Sequence, residues 1–194
     1  MATNGKLRYT TPGIETADAE RVVALLQDRL NATTDLHLTL KHVHWNVVGP
    51  HFISVHEMID PQVDAVRGFS DSIAERIATL GGSPIGTPGA LVENRTWDEY
   101  SIGRATTQEH LGALDLVYQG VITSYRDAIK ELDDLALVTQ DMFIAQTDAL
   151  ELFHWFIRAH LDDKAGNLST AGAGSEREAA DAASASDHHE ATTA

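Results

Sequence analysis

Four long segments of this chain carry apolar residues three and four positions apart, and this spacing constrains the fold more than any other feature. Residues with that spacing lie on one face of an α-helix. We predict helices over residues 17–46, 54–80, 106–133 and 137–161, and no segment alternates as a strand would. Because each helix must bury its apolar face against the others, the sequence predicts an all-α fold, a four-helix bundle.

Capping residues mark where the helices begin. Ser54 with Glu57, and Thr106 with Glu109, have the spacing of a capping box, so we expect them to open the second and third helices. The connection between these two helices is long and contains glycine and proline. We predict a short helix within it, around residues 96–100.

The two ends of the chain differ from its centre. Residues 1–15 contain Pro12 and Gly13 and are predicted to form a flexible N-terminal arm, ahead of a bundle over residues 16–164. Residues 165–194 are rich in alanine, serine, threonine and acidic residues, with almost no large apolar side chains. Such a segment buries little surface, so we predict a disordered acidic tail.

Composition excludes several kinds of site. The chain has no cysteine, which rules out disulfides, thiolate metal sites and thiol catalysis. No segment is apolar for the length of a membrane span, and the N-terminus lacks the apolar region of a signal peptide. We therefore expect a soluble cytoplasmic protein.

The formal charge of −15, from 29 acidic and 14 basic residues, either serves solubility alone or attracts metal cations.

Metal-binding residue types recur in three places. His44 lies near the end of the first predicted helix, and the second helix carries two pairs at a spacing of four, His56 with Asp60 and Asp71 with Glu75. Each pair projects from one face of its helix. Imidazole combined with carboxylate suits iron, zinc or manganese, and carboxylate-rich sets favour iron oxidation. These five residues are the candidate metal ligands.

The length of the second helix limits how these ligands can meet. His56 and Asp71 are fifteen residues apart, which is roughly 22 Å of axial rise. Two metals in one bridged site are only about 3.5–4 Å apart. Either the pairs serve different purposes, or a second copy of the chain, related by a twofold axis, supplies the missing half of the site.

Four of the five candidate ligands also have a simpler structural interpretation. Asp60, directly before a proline, is compatible with a helix N-cap. Asp71 and Glu75 are compatible with a solvated helix face on which Glu75 pairs with Arg76. His44 is compatible with a packed, hydrogen-bonded histidine. The residues taken one by one leave these alternatives open.

A long pattern joins the candidates: Lys41-His42-Val43-His44-Trp45-Asn46, then Gly49, Phe52, His56-Glu57-Met58-Ile59-Asp60, and Asp71-Ser72-Ile73-Ala74-Glu75-Arg76 before Leu80-Gly81-Gly82. This pattern resembles the Dps family, the "DNA-binding proteins from starved cells", which are ferritin-like mini-ferritins. The similarity extends over roughly residues 15–165. It implies a ferritin-like bundle that assembles into a hollow dodecamer.

The resemblance also implies ferroxidase sites at twofold interfaces, each with up to two iron ions. His44, His56 and Asp60 would come from one subunit, and Asp71 and Glu75 from its mate. Glu75 would bind the better-held iron, and Asp71 would act as a ligand or orient one. Fe(II) would be oxidised, preferably by hydrogen peroxide but also by dioxygen, and ferric mineral stored inside the shell.

Four further residues have roles implied by the resemblance. Trp45, beside His44, either quenches one-electron leaks or simply packs. Asp133, Asp134 and Asp141 fall near the start of the last helix, where family members have an acidic threefold pore. Alternatively, the first two are loop residues and Asp141 stabilises the helix N-terminus.

Three rival functions each require particular residues. A metal site inside one bundle, as in ferritin proper, needs two Glu-x-x-His motifs, and only Glu151 with His154 forms one. A metal-dependent hydrolase of amides or esters could use a metal-bound water at the same residues. DNA binding requires basic tails, whereas residues 165–194 contain a single basic residue, Arg177, so we expect none.

Overall fold

The predicted helical periodicity corresponds to real helices in the computed structural model, which describes residues 6–163 and 165–192, without the side chains of 187–192. The described helices are α1 (Thr16–Asn46), α2 (Phe52–Thr79), α3 (Pro88–Asn94), α4 (Thr107–Leu132), α5 (Leu137–Arg158) and α6 (Glu176–Thr192). Strands β1 (Val47–Val48) and β2 (Ala105–Thr106) form one short parallel pair. The all-α prediction is confirmed. None of the described helices combines the length and apolar character needed to cross a bilayer.

The chain divides into two compact units, and each of the four long helices contributes to both. The first unit consists of the chain up to Leu38 with Val63–Asp98 and Thr123–Asp148, and the second consists of Thr39–Gln62, Glu99–Ile122 and the chain from Ala149 onward. The first unit buries apolar residues at helical spacing, among them Val22, Leu26, Val66, Ile73, Ile77, Leu132 and Phe143. The second does the same with Leu40, Val43, Val55, Ile59, Leu114, Leu150 and Ile157.

The first described residues pack within the first unit. Leu7 is buried, and its backbone N–H donates to Glu20 Oε1 at 3.0 Å. Gly81 has a positive φ of 87°, and a Cβ there would overlap the carbonyl oxygen of Tyr9. For residues 6–15 the structure therefore differs from the predicted flexible arm, because Leu7 finds a buried position. Residues 1–5 of that arm lie outside the described part.

One predicted capping box is confirmed and the other is wrong. The Thr106 N–H donates to Glu109 Oε2 at 2.8 Å, and the Glu109 N–H donates back to Thr106 Oγ1 at 3.4 Å. By contrast, α2 already begins at Phe52, and Ser54 Oγ donates to the carbonyl oxygen of His51 at 2.8 Å. Ser54 therefore lies inside the helix that it was predicted to open.

The short helix in the long connection exists but was predicted in the wrong place. It is α3, which starts at Pro88, and residues 96–100 form no helix. Pro88 belongs to the proline- and glycine-containing connection that was predicted from the sequence. Its fixed φ and missing N–H instead suit the first position of a helix, after the extended Thr87.

The predicted disordered tail is wrong for the described residues beyond 165, because α6 lies there and packs within the second unit. Ala179 and Ala183 are buried, and a Cβ added at Gly112 would overlap the Ala179 carbonyl oxygen and lie 2.9 Å from the Ala183 Cβ. Alanine favours helix and its small side chain permits this close approach, so no large apolar residue is needed. Lys164, residues 193–194 and the side chains of 187–192 lie outside the described part.

Candidate metal centre

Three of the predicted ligands meet where α1 ends and α2 begins, within the second unit. Gly49, with a φ of +109°, permits the turn between these helices. The turn brings His56 back beside His44, and their imidazole rings stack with centroids 3.6 Å apart and planes at 24°. We refer to His44, His56 and Asp60 as the half-site.

Reciprocal hydrogen bonds orient the two imidazoles of the half-site. His44 Nδ1 lies 3.0 Å from the carbonyl oxygen of His56, and His56 Nδ1 lies 2.9 Å from that of His44. Because a carbonyl oxygen only accepts, each Nδ1 must carry the proton. In a neutral imidazole the lone pair then resides on Nε2, the atom available to a metal. A hydrogen bond of this kind fixes both the tautomer and the orientation of a metal-binding histidine.

Asp60 adds a carboxylate to the half-site. Its Oδ1 lies 3.1 Å from His44 Nδ1 and 2.7 Å from Lys41 Nζ, and about half of its side chain is exposed. The hydrogen bond from Lys41 holds the pKa of the Asp60 carboxyl below its usual value, so the carboxylate form is favoured. The N-cap alternative is wrong, because Asp60 lies well inside α2, which begins at Phe52.

The remaining two predicted ligands lie in the first unit, outside the half-site. Asp71 and Glu75 are exposed on α2. Asp71 helps line a groove of about 720 Å³ together with Asp64 and Arg67. Arg76, the alternative partner for Glu75, donates from Nε to Thr139 Oγ1 at 3.0 Å. Within the described residues of one chain, no three His, Cys, Asp or Glu side chains are arranged to hold a metal ion.

The pore candidates and Trp45 are exposed side chains. Asp133 and Asp134 follow the end of α4, and Gln140 Nε2 donates to Asp133 Oδ1 at 3.0 Å. Asp141 lies beyond the first turn of α5, where the charge of a helix N-terminus has little effect. Trp45 is 71% exposed, so its indole does not pack inside the chain.

The Glu-x-x-His motif of α5 does not present its histidine to a metal. His154 is buried and its Nε2 lies 2.6 Å from Asp115 Oδ1. Arg158 Nε, at 2.8 Å, and Thr170 Oγ1, at 2.7 Å, also donate to the Asp115 carboxylate. His154 is thus engaged in a structural cluster.

Lys41 is the residue that sequence reasoning missed: it lies three positions before His44, which places both on one face of α1.

The helices and the half-site define a ferritin-like protein. A family model for the ferritin-like domain matches residues 23–165. A DNA protection during starvation protein from Mycolicibacterium smegmatis is 59% identical over 175 residues, which cover 90% of this chain and 96% of that protein. The fine tangled pili major subunit of Haemophilus ducreyi is 50% identical over 160 residues, or 82% and 85% of the two chains.

Solved structures agree with this assignment. The structure of DpsA14 from Streptomyces coelicolor superimposes with a TM-score of 0.83 at 59% identity, covering 84% of this chain and 97% of that one. The chain therefore belongs to the Dps family of ferritin-like proteins. Both the resemblance and the ferritin-like fold predicted from the sequence are confirmed.

Proposed function

We propose that this chain is the subunit of a mini-ferritin that oxidises Fe(II), preferably with hydrogen peroxide, and stores the ferric mineral inside a hollow dodecamer. The observation that supports this most directly is the half-site: two imidazoles whose Nε2 lone pairs are available, next to an ionised carboxylate. Imidazole and carboxylate are ligands that iron accepts. Oxidative damage, including damage to DNA, would fall as both iron and peroxide are consumed.

Fe(II) and peroxide are the substrates of the proposed reaction. Two Fe(II) each give one electron to one hydrogen peroxide, which takes up two protons and leaves as two waters, with two Fe(III) formed. Because both electrons are transferred at one site, no hydroxyl radical is released. His44, His56 and Asp60 would bind iron from one subunit. Asp71 and Glu75 would come from its twofold mate, with Glu75 as the stronger ligand and Asp71 binding or orienting.

Two accessory roles complete the proposal. The exposed indole of Trp45, next to His44 in the chain, would quench electrons that escape from the site. Asp133, Asp134 and Asp141 would line the pore that admits Fe(II), since exposed carboxylates concentrate cations. Dioxygen would serve as the second oxidant, and the cytoplasm stays the predicted compartment.

We further propose that protection does not involve DNA binding. The formal charge is −15, and Arg177, the single basic residue of residues 165–194, donates from Nη2 to the Ser101 carbonyl oxygen at 3.3 Å. Non-specific affinity for DNA comes mainly from basic groups that release counterions. A gel shift in which the assembled protein retains plasmid at moderate salt would contradict this.

The hydrolase alternative finds no support, since none of the similar proteins described above is named as a hydrolase.

Mixing two inactive variants tests the shared site. His56→Ala removes a ligand from one half and Glu75→Ala removes one from the other, so each homogeneous assembly should lose rapid Fe(II) oxidation by peroxide. In a mixed twofold pair, one site carries both substitutions and the other carries neither. Random co-assembly should therefore restore about a quarter of the wild-type sites.

Two outcomes would contradict the proposal. If mixed assemblies form, as mass spectrometry would show, but recover no oxidation, the two halves are not shared between subunits. If both homogeneous variants oxidise Fe(II) at the wild-type rate, these residues do not form a ferroxidase site. Wild-type protein mixed and reassembled in the same way is the control for losses during reassembly.

A further inference from the structure

Tyr100 differs from the two other buried tyrosines of the chain in the group that accepts its hydrogen bond. Tyr118 and Tyr125 are completely buried, and each donates its O–H to the side-chain oxygen of a glutamine, at 2.6 Å and 3.0 Å. The Oη of Tyr100, which is partly buried, lies 2.9 Å from Nδ1 of His110. An imidazole nitrogen can take up a proton, whereas an amide oxygen accepts only a hydrogen bond.

The Tyr100–His110 pair is neutral at rest. Burial raises the pKa of the Tyr100 phenol and lowers the pKa of His110 to about 4, so the phenol keeps its proton and the imidazole carries no charge. In the tautomer whose proton is on Nε2, the phenol donates to the lone pair of Nδ1. The distance of 2.9 Å lies within the roughly 2.6–3.2 Å over which a base takes a proton directly. His110 is thus placed to accept the phenolic proton.

Loss of an electron from a buried tyrosine requires such an acceptor. A phenol that has lost an electron is a much stronger acid, and a positive charge left on a buried ring is costly unless it is compensated. The phenolic proton of Tyr100 can move to His110, where the carboxylate of Glu109 favours the charged imidazole. The hydrogen bonds of Tyr118 and Tyr125 end on amide oxygens. Tyr100 is therefore the buried tyrosine from which an electron is most easily removed.

Tyr100 lies in the same unit as the half-site and at the same end of α1. The ring of His42 approaches the Tyr100 ring edge-on, with centroids 5.9 Å apart. His42 precedes His44 by two residues, which is roughly 3 Å of axial rise along α1. The parallel pairing of β1 with β2 also joins the residues after α1 to the residues that follow Tyr100. The fold itself therefore brings this tyrosine near the half-site.

We propose that Tyr100 is a redox-active tyrosine, with His110 as its proton acceptor, that supplies the missing electron when hydrogen peroxide has taken only one electron from Fe(II). The inference rests on the proposed function, because the oxidation of iron by peroxide generates the oxidant. It concerns a turnover in which a single Fe(II) occupies the site. Tyr100 then takes the place of the second Fe(II) as electron donor.

The electrons and protons of this turnover balance. One Fe(II) reduces hydrogen peroxide to a hydroxide ion and a hydroxyl radical, and becomes Fe(III). The radical takes one electron from Tyr100 and becomes a second hydroxide ion, while the phenolic proton moves to Nδ1 of His110. A later Fe(II) returns the electron to the tyrosyl radical and becomes Fe(III), and the proton moves back to the phenol. Two Fe(II) have then reduced one peroxide, and the hydroxyl radical has not been released.

Freeze-quench electron paramagnetic resonance of the assembled, full-length protein tests this. All proteins carry Tyr9→Phe, which removes the exposed tyrosine. With less Fe(II) than sites, added peroxide should produce a tyrosyl radical, and further Fe(II) should remove it. Tyr100→Phe should lose most of this signal, because it keeps the ring and deletes the hydroxyl. The matched controls Tyr118→Phe and Tyr125→Phe delete the same atom from completely buried rings and should keep the signal.

Two further measurements test the roles of the pair. His110→Gln should lose the signal while Tyr100 is present, because it offers Tyr100 an amide oxygen like those that Tyr118 and Tyr125 already have. A spin trap should capture more hydroxyl radical from Tyr100→Phe than from Tyr125→Phe. The proposal is overturned if the tyrosyl signal survives in Tyr100→Phe or in His110→Gln, or if all three phenylalanine variants lose it equally.

An iron-free experiment separates this inference from the proposed function. A photogenerated ruthenium(III) oxidant replaces iron and peroxide, and it should produce the same radical in a Tyr100-dependent way. If the protein oxidises Fe(II) with peroxide but forms no Tyr100 radical with either oxidant, this inference alone fails. If the ruthenium oxidant forms the Tyr100 radical but peroxide does not oxidise Fe(II), the proposed function fails. The electron supply to peroxide then fails with it, and the redox activity of Tyr100 stands.

Discussion

Among its described residues the second unit contains two contacts between a histidine and an aspartate, and they differ in which atoms of the histidine remain available. In the half-site, His44 Nδ1 is 3.1 Å from Asp60, and about half of the aspartate side chain is exposed. In the second contact, His154 Nε2 is 2.6 Å from Asp115, which is almost completely buried. The residue types are the same. The half-site histidines keep an Nε2 lone pair, whereas His154 donates with that atom.

The environment of Asp115 shows why the second contact is structural. Burial alone would raise the pKa of Asp115, but hydrogen bonds from His154, Thr170 and Arg158 hold it well below its usual value. Three donors satisfy the carboxylate, and one of them, Thr170, belongs to the segment that precedes α6. A metal would have to replace bonds that already exist. The Nε2 lone pairs of the half-site imidazoles, and not histidine and aspartate as such, therefore make the half-site the candidate for metal binding.

Replacing each aspartate by alanine should reduce a different property: the free energy of unfolding for Asp115, and the affinity for Zn(II), a redox-inert probe, for Asp60. Asp115→Ala leaves three donors without an acceptor in a buried place, and should destabilise the chain by about 3–5 kcal/mol. Urea unfolding of the assembled protein measures this. Asp60→Ala should leave the urea midpoint near wild type while Zn(II) binding weakens. Equal stability losses from the two substitutions would break the comparison.

The sequence predicts local features of the fold well. Apolar periodicity placed both ends of α1 and of α4 within one residue of where the structure has them. The Thr106–Glu109 capping box located the start of α4. The sequence did not predict α6, because rules that look for large apolar residues overlook a helix in which alanine packs against glycine. That helix depends on Gly112, which is distant in the sequence.

The same limit applies to the candidate site: pairs within one helix are predictable from the sequence, and pairs between helices are not. His56 and Asp60 share a helix, so their spacing alone indicated a joint role. Lys41 and Asp60 are separated by 19 positions, and His154 and Asp115 by 39. Such pairs form only when helices pack, so no local spacing indicates them. The sequence therefore predicts ligand types, and it misses the partners that decide whether such a ligand is available.

A third histidine sharpens the comparison because it is buried without a carboxylate hydrogen bond. His110 is completely buried, its Nδ1 is 2.9 Å from Tyr100 Oη, and burial lowers its pKa to about 4. An unfolded histidine titrates near 6.5. Between pH 6.5 and about 4 the unfolded chain thus binds a proton that the folded chain does not, and stability falls with falling pH.

The variant His110→Gln should remove that part of the acid sensitivity. The wild type should lose up to about 1.4 kcal/mol per pH unit more than the variant across this interval, with parallel curves above pH 6.5. Urea midpoints measured from pH 7.5 to 4.5 give both slopes. Parallel curves over the whole range would mean that burial does not keep His110 neutral, and would weaken the contrast with the hydrogen-bonded His154.

Two glycines of α4 provide the smallest test of whether the structural cluster and the half-site are independent. A Cβ at Gly112 would overlap the Ala179 carbonyl oxygen, whereas nothing lies within 4 Å of a Cβ at Gly120. Gly112→Ala should cost about 1–3 kcal/mol and expose residues 165–186 to proteases, because α6 must move away. Gly120→Ala should instead stabilise α4 by up to about 1 kcal/mol.

Neither glycine variant should alter Zn(II) binding, since the segment before α6 is held by the hydrogen bond from Thr170 to Asp115, a residue outside the half-site. Limited proteolysis and Zn(II) titration of the same preparations provide both measurements. If Gly112→Ala loosens α6 and weakens Zn(II) binding together, the docking of α6 supports the half-site. The cluster around Asp115 would then be part of the machinery that shapes metal affinity, and the division between a structural and a functional histidine–aspartate contact would fail.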